Sequence, residues 1–276
     1  MAWVGLGYRR PWANWIDSRP REIECLEIIA EHFFAGGERR AAELTSRYPV
    51  FVHGLGLSLG TPGPLDSETL AHFAAVVDAV HPEWISEHIA FTKSGDIDLG
   101  HLNPIAPSPK SLQVIADHTR RVADLCQRPI ILENVTSNLR PVGPLSEPEF
   151  INRLCEQAEC GLLLDVTNLF INSRNHDYDP SAWMAQVDPA HIHQLHVVGY
   201  SMRDGRPHDS HAAAIQPEIF ELVDEAAGYA PLKAAIIERD SSFPTPNQIA
   251  GELRQLREIF DRHGLHSRTG STTHEP

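Results

Sequence analysis

Carboxylates, histidines and one asparagine recur where apolar runs end. His53 follows PVFV, His88 follows WISE and Glu133 closes PIIL. Asp165 and Asn168 close GLLLDVTN, His196 lies in QLHVV and Glu238 ends AAIIE, while Asp209 and His211 form a compact D-S-H in the loop after QLHVV. Nitrogen and oxygen donors without cysteine suit iron, manganese or zinc. Each residue alone has an ordinary reading. A strand histidine is more often a hydrogen-bonded core residue than a ligand, Glu133 or Asp165 could cap a following helix, and Asn168 could serve a turn. Joint occurrence decides, because burying that many carboxylates without cations is prohibitively costly. The set predicts a polynuclear metal site.

Residues so distant in sequence converge only if the runs are parallel strands whose carboxyl ends open on one face. VGLGYR, CLEIIAE, PVFVHGLGL, WISEHIAFT, PIILENV, GLLLDVTNLF, HIHQLHVVGY and AAIIERD read as such strands, continuously apolar as when both faces are buried. Helical patterns separate them. Leu70, Phe73, Ala74, Val77 and Val80 recur at helical spacing, Ser108 precedes Pro109 as an N-cap before N1 proline, and Ser146 with Glu149 matches a capping box. GLLLDVTNLF is expected to run into an irregular His/Asn/Asp-rich stretch and a short helix around Trp183. Eight strand-helix units predict an α/β fold, a single (β/α)8 TIM barrel over 1–265 with the metal cluster at the carboxyl-terminal face, and a polar, disordered tail over 266–276. The rival, a doubly wound open sheet, lacks support because GLGYRR does not continue into GxGxxG.

Of the 276 residues, 42% are hydrophobic and 22% charged, enough for a sizeable core. No apolar run reaches the ~20 residues of a membrane span, and MAWVGLGYRRPW lacks signal-peptide regions, so a cytoplasmic location is expected. The formal net charge of −14 argues against a nucleic-acid partner and would be partly offset by bound cations. Cys25, Cys126, Cys155 and Cys160 show no CxxC spacing and read as buried reduced thiols. His72, His118, His263 and His266 fall on or beside helices and read as surface residues; His81 falls in a turn, His274 in the tail. His191 and His193 fall at the wrong end of the barrel. Glu31, His32, His101 and Asn103 fall on the ligand face as further candidates.

The ordered motifs HGLGLSLG, SEHIAF, LENVTSN, LLDVTN, QLHVVG, DSH and IERD resemble the MbnB/TglH/ChrH family of multinuclear non-heme iron-dependent oxidative enzymes over about residues 3–262. The resemblance implies a barrel similar to xylose isomerase and the apurinic endonucleases, two or three irons of mixed valence, O2 as co-substrate, and modification of cysteine or another residue of a ribosomally made precursor peptide. It implies a separate partner protein that recognises the leader, consistent with a barrel that consumes all eight units. Carried over residue by residue, it makes Glu133 a bridge between two metals. His53 and His88 hold one; Asp165, His196 and Glu238 hold the other; Asn168, Asp209 and His211 line a third, more labile position. Asn168 stands where the endonucleases carry histidine. One iron would acidify a substrate thiol and its neighbour would engage O2, with peptide handling by the loops and by Arg9, Arg10 or Arg239. The alternatives are a zinc hydrolase or endonuclease, a sugar isomerase, or a non-catalytic metal-storage module.

Overall fold

In the computed structural model, which describes residues 1–95 and 97–268, the apolar runs pair as strands of a closed barrel. Its first four are β1 (Trp3–Gly7), β2 (Cys25–Ile29), β3 (Val50–His53) and β4 (Ile85–His88). A hairpin of β5 (Ala90–Ser94) and β6 (Ile97–Pro104) follows, then β7 (Ile130–Glu133), β8 (Gly161–Asp165) and β9 (Ile192–Val197). A second hairpin, β10 (Gly199–Arg203) and β11 (Arg206–Ala213), precedes β12 (Ala234–Ile237). The barrel order is β1-β12-β9-β8-β7-β4-β3-β2, every pair parallel. This is the expected (β/α)8 barrel.

The outer layer holds α1 (Ala13–Asp17), α2 (Glu38–Thr45), α3 (Ser67–Val80), α4 (Pro109–Cys126), α5 (Glu147–Ala158), α6 (Val166–His176), α7 (Pro180–Met184), α8 (Pro217–Tyr229) and α9 (Pro246–Arg262). Their apolar stripes pack on the outward strand residues; on α3 the stripe is Leu70, Phe73, Val76, Val77 and Val80. Ser108 caps α4 by accepting from Ser111 N, with Pro109 at N1. Ser146 caps α5, but Glu149 turns to Arg153, so that capping box is half made. None of the described helices is long and apolar enough to cross a membrane.

Inside the barrel, strand alternation sorts chemistry into layers. Trp3, Cys25, Phe51, Trp84, Ile131, Leu163, Ala234 and Ile236 form one buried apolar cluster toward the amino ends. Phe51 and Trp84 stack there with centroids 4.2 Å apart. Two residues further along five of these strands the inward positions become polar: Glu27, His53, Ser86, Glu133 and Asp165. Gly5 shares the lower layer, where a Cβ would come within 2.3 Å of Cys25 Sγ.

Three local expectations are corrected. WISEHIAFT and HIHQLHVVGY are not single strands, since each breaks after the barrel strand and restarts as a hairpin. Asp209 and His211 therefore lie on β11, not in a loop. The stretch after Asp165 is helix α6, not irregular, because Asp165 caps it and eight of its residues are buried. The cysteines are free, all buried except half-buried Cys126. At the start of the expected tail, His266 O accepts from Ala2 N at 2.9 Å, and Arg268 lies 3.8 Å above the Trp3 ring. The rest of that tail, 269–276 with His274, lies outside the described residues.

Candidate metal centre

Parallel register brings the strand-end residues into one cavity. His88 is level with Glu133 and Asp165 with His196, while Glu238 follows β12 two residues beyond the partner of His196. The rings of His53 and His88 lie 4.7 Å apart, those of His53 and His196 5.2 Å. Two groups of prospective ligand atoms result. His53, His88 and Glu133 form one; Glu133, Asp165, His196 and Glu238 form the other. Glu133 belongs to both. Its Oε2 stands 3.5 Å from His53 Nε2, 3.3 Å from His88 Nε2 and 3.2 Å from His196 Nδ1.

Hydrogen bonds behind the rings decide which ring nitrogen faces inward. His53 Nδ1 meets Ser86 Oγ at 2.8 Å, and His88 Nδ1 meets Gly54 O at 3.2 Å, leaving both Nε2 atoms for the cavity. His196 is reversed: Nε2 lies 2.6 Å from Glu27 Oε1 and Nδ1 points inward. Glu27 is itself held by Gln194 Nε2 at 2.7 Å, and Gln194 Oε1 accepts from Trp84 Nε1 at 2.8 Å. The chain Trp84–Gln194–Glu27–His196 thus anchors one prospective ligand in the aromatic layer below.

Asp165 divides its carboxylate. Oδ1 accepts from Asn168 N at 2.7 Å and caps α6, while Oδ2 has no hydrogen-bond partner. Glu133 Oε2, His196 Nδ1, Asp209 Oδ1 and His211 Nδ1 are also buried and lack a well-aligned hydrogen bond, although each lies in ion-pair contact with another group of the site. A buried carboxylate oxygen left without a partner, as Asp165 Oδ2 is, is costly. These five atoms are nitrogen or carboxylate donors, so the residues present fit a cluster of divalent or trivalent cations.

Without a cation, protons carry the positive charge. Burial, then His88 and His196, hold His53 well below the ordinary imidazole range. Burial opposes charge on His88, yet Glu133 and Glu87 override it and lift the group to about 9. His196 is raised well above its usual value against burial by Glu238, Glu27 and Glu133. Asp165 is pushed far up by burial, Glu133 and Asp209; Glu238 is held far down against burial by His196 and His211.

The remaining candidates stand at the rim. His211 Nε2 is 3.0 Å from Asp209 Oδ1, and its Nδ1 lies 2.9 Å from Asp240 Oδ2 and 3.8 Å from Glu238 Oε2. Neither Asp209 nor His211 joins the two ligand groups. Asn168 is buried on the first turn of α6; its Nδ2 donates to Asn134 O at 3.0 Å and its Oδ1 accepts from the Thr136 hydroxyl. Glu31 braces the next loop by accepting from Leu55 N and Gly56 N at 2.9 and 2.7 Å. His32 is exposed on a 3-10 turn, while His101 and Asn103 bond to hairpin carbonyls. Glu31, His32 and His101 join neither ligand group.

Other expectations change. Arg239 is buried and turned outward to Glu252 of α9 at 3.1 Å, so it cannot handle a peptide. Arg9 is also buried, 2.7 Å from Asp240 Oδ1 and 3.6 Å from Glu238 Oε1, where it holds the ligand rim; Arg10 is exposed. His118 is half-buried, not a surface residue, and bridges Leu59 O and Gly63 O at 2.8 Å each. His72 is half-buried against Phe34. His263 and His266 pair with Asp224 and Asp261 on the surface. His193 packs at the start of β8, away from the cavity. Sequence reasoning missed Glu27, Ser86, Gln194 and Asp240; only Glu27, a charge inside the run CLEII, left a readable trace.

Comparison with known proteins gives a family and a shared fold. Residues 3–261 match the family described as RiPP precursor modification enzyme MbnB/TglH/ChrH. A "UPF0276 protein" of Shewanella sediminis is 34% identical over 260 residues, covering 92% of this chain and 93% of that one. One from Acinetobacter baylyi is 31% identical over 265 residues, covering 95% and 92%. Among solved structures, an L-ribulose 3-epimerase superposes with a TM-score of 0.62 at 14% identity, covering 100% of both chains. Endonuclease IV from Thermus thermophilus gives 0.60 at 14% identity, covering 94% of this chain and 99% of that one. At such identities the two structures show a shared fold.

Proposed function

The chain belongs to the MbnB/TglH/ChrH family of RiPP precursor modification enzymes, and from that membership we propose that it is a multinuclear iron-dependent oxidative enzyme. Its substrate would be a ribosomally made precursor peptide, modified at cysteine with O2 as co-substrate. The observation that carries this reading is Glu133, one carboxylate shared by two groups of nitrogen and oxygen donors. His53 and His88 would hold one iron with Glu133. Asp165, His196 and Glu238 would hold the second, and Asn168, Asp209 and His211 would line a third, weaker position. Bound iron supplies a Lewis acid for a thiolate and an electron source for O2.

The protein's own work is positional. Ser86, Gly54 and Glu27 fix the three imidazoles so that one nitrogen of each faces the cavity. Arg9 and Asp240 hold Glu238 and His211 at the mouth. Elemental analysis of protein purified without added metal tests the proposal. Iron at two or more per chain with O2 uptake on a cysteine-containing precursor is expected. Zinc instead would favour the hydrolase reading, and metal without O2 uptake a storage role.

The same reading includes a separate partner protein that grips the peptide leader. O2 consumption with the precursor, measured with and without the partner encoded nearby, checks this. A several-fold stimulation is expected, and equal rates would place leader recognition on the barrel itself.

A further inference from the structure

Beside the metal centre lies a second cavity that the ligands do not use. It encloses about 450 Å3 between the segment after β7, the start of α5, and α6–α7. That size suits a small ligand or a large side chain. Its wall includes Ile89 and Asn134, which directly follow the prospective ligands His88 and Glu133.

Much of the wall is apolar, with Val135, Leu145, Phe150 and Trp183. Polar groups gather at one place. Glu147 accepts from Trp183 Nε1 at 3.0 Å, and burial raises its carboxyl above the usual range. Among the described residues, the one hydrogen-bond donor to that carboxylate is the neutral indole. Arg140, also in the wall, is exposed and acts on Tyr178; the Asp179 carboxylate is used in capping α7. The Tyr178 hydroxyl and His176 Nε2, both on lining residues, are buried without a hydrogen-bond partner. A cavity with greasy walls, an aromatic side and a buried carboxylate lacking a cation is complementary to an apolar stem ending in positive charge.

We propose that this cavity is a specificity pocket for a basic side chain, lysine or arginine, flanking the modified residue of the substrate peptide, a proposal that rests on the peptide-modifying reading above. The stem lies along Val135, Leu145 and Phe150, as long cationic side chains pack their methylenes on apolar surface. The head group bonds to Glu147 as a charge-assisted pair beside the Trp183 ring. An uncharged residue of equal bulk fills the volume but leaves the carboxylate unpaired. The net charge of −14 favours the same class of partner over long range.

The Trp183 indole N–H reports on the pocket directly. In 15N-labelled full-length protein loaded with diamagnetic zinc, its resonance is assigned by its loss in Trp183→Phe. The probes are N-acetyl-lysine methylamide, N-acetyl-arginine methylamide and their uncharged isostere N-acetyl-norleucine methylamide. Both cations should shift the resonance saturably, with norleucine at least tenfold weaker. Glu147→Gln, which keeps an acceptor for the indole, should weaken the cations at least tenfold and leave norleucine unchanged. Ala182→Trp, which fills the wall from α7, should abolish the shift and serves if Glu147→Gln does not fold. Norleucine binding as well as lysine, cation binding indifferent to Glu147→Gln or Ala182→Trp, or no shift with any probe would each overturn the proposal. No step depends on iron, O2 or turnover, so this result and that of the iron chemistry are separable.

Discussion

Among the described residues, Glu133 is the one side chain that belongs to both ligand groups. Its substitution by glutamine is expected to remove more than one metal ion per chain, because a neutral amide is a poor bridge between cations. Metal analysis of Glu133→Gln checks this, and a full metal complement would show that it is no bridge. Glu27 acts one step back, through His196 Nε2. Glu27→Gln keeps the packing but weakens the carboxylate that fixes the tautomer, so second-metal affinity should fall about 10- to 100-fold with the fold intact. Chelator competition alongside circular dichroism measures it; unchanged affinity would remove Glu27 from the site. The convergence of the strand-end candidates was legible because a polar residue closing an apolar run sits at a predictable pleat. Gln194 was not, since one amide within a strand looks like any satisfied core residue. Nor was the direction of Arg9 and Arg239: a long side chain can turn inward or outward from one backbone position, and here opposing carboxylates, Asp240 and Glu252, decide.

Hydrophobic period and capping residues revealed the barrel strands and most helices, because burial on both faces of a parallel sheet leaves unbroken apolar runs. The hairpins β5–β6 and β10–β11 were hidden. Their strands carry half-exposed polar residues, and each begins within two residues of a barrel strand, so the run appears continuous. Helix α6 was hidden for the opposite reason: its Asn and His residues read as a loop, yet tertiary burial and the Asp165 cap make it helical. The β10–β11 hairpin carries Asp209 and His211 over the mouth, paired outward to Asp240 and not locked within the ligand groups. Asp209→Ala or His211→Ala should therefore loosen a third metal and leave the first two nearly intact. Anomalous scattering at the iron edge distinguishes this from loss of all peaks together, which would mean that the three positions assemble as one unit.

At the scale of the molecule, the barrel interior stacks a layer of charge on a layer of aromatic rings, and cations or protons must balance the charge. In metal-free protein, protons on the raised histidines would supply that balance. His88, raised from 6.5 to about 9, and His211, raised to about 12, each contribute stability that is complete below pH 6.5 and declines as pH rises toward those values. His196, also raised, acts in the same direction. His53 and Glu238 are lowered, so their contributions are lost as pH falls through acidic values, outside this window. Between pH 6.5 and 9 the metal-free protein should lose thermal stability steadily. On the proposed reading metal ligation would replace those protons, and a ligand that binds only the folded state would stabilise it further. Iron-loaded protein, kept anaerobic, should thus melt higher than chelator-stripped protein, with the gap widening toward pH 9 as metal no longer competes with protons for His88 and His196. Thermal melts of both forms across that range decide the matter. Parallel profiles would mean that the buried imidazoles are not exchanging protons for metal, and that the cavity is held together by its hydrogen bonds alone.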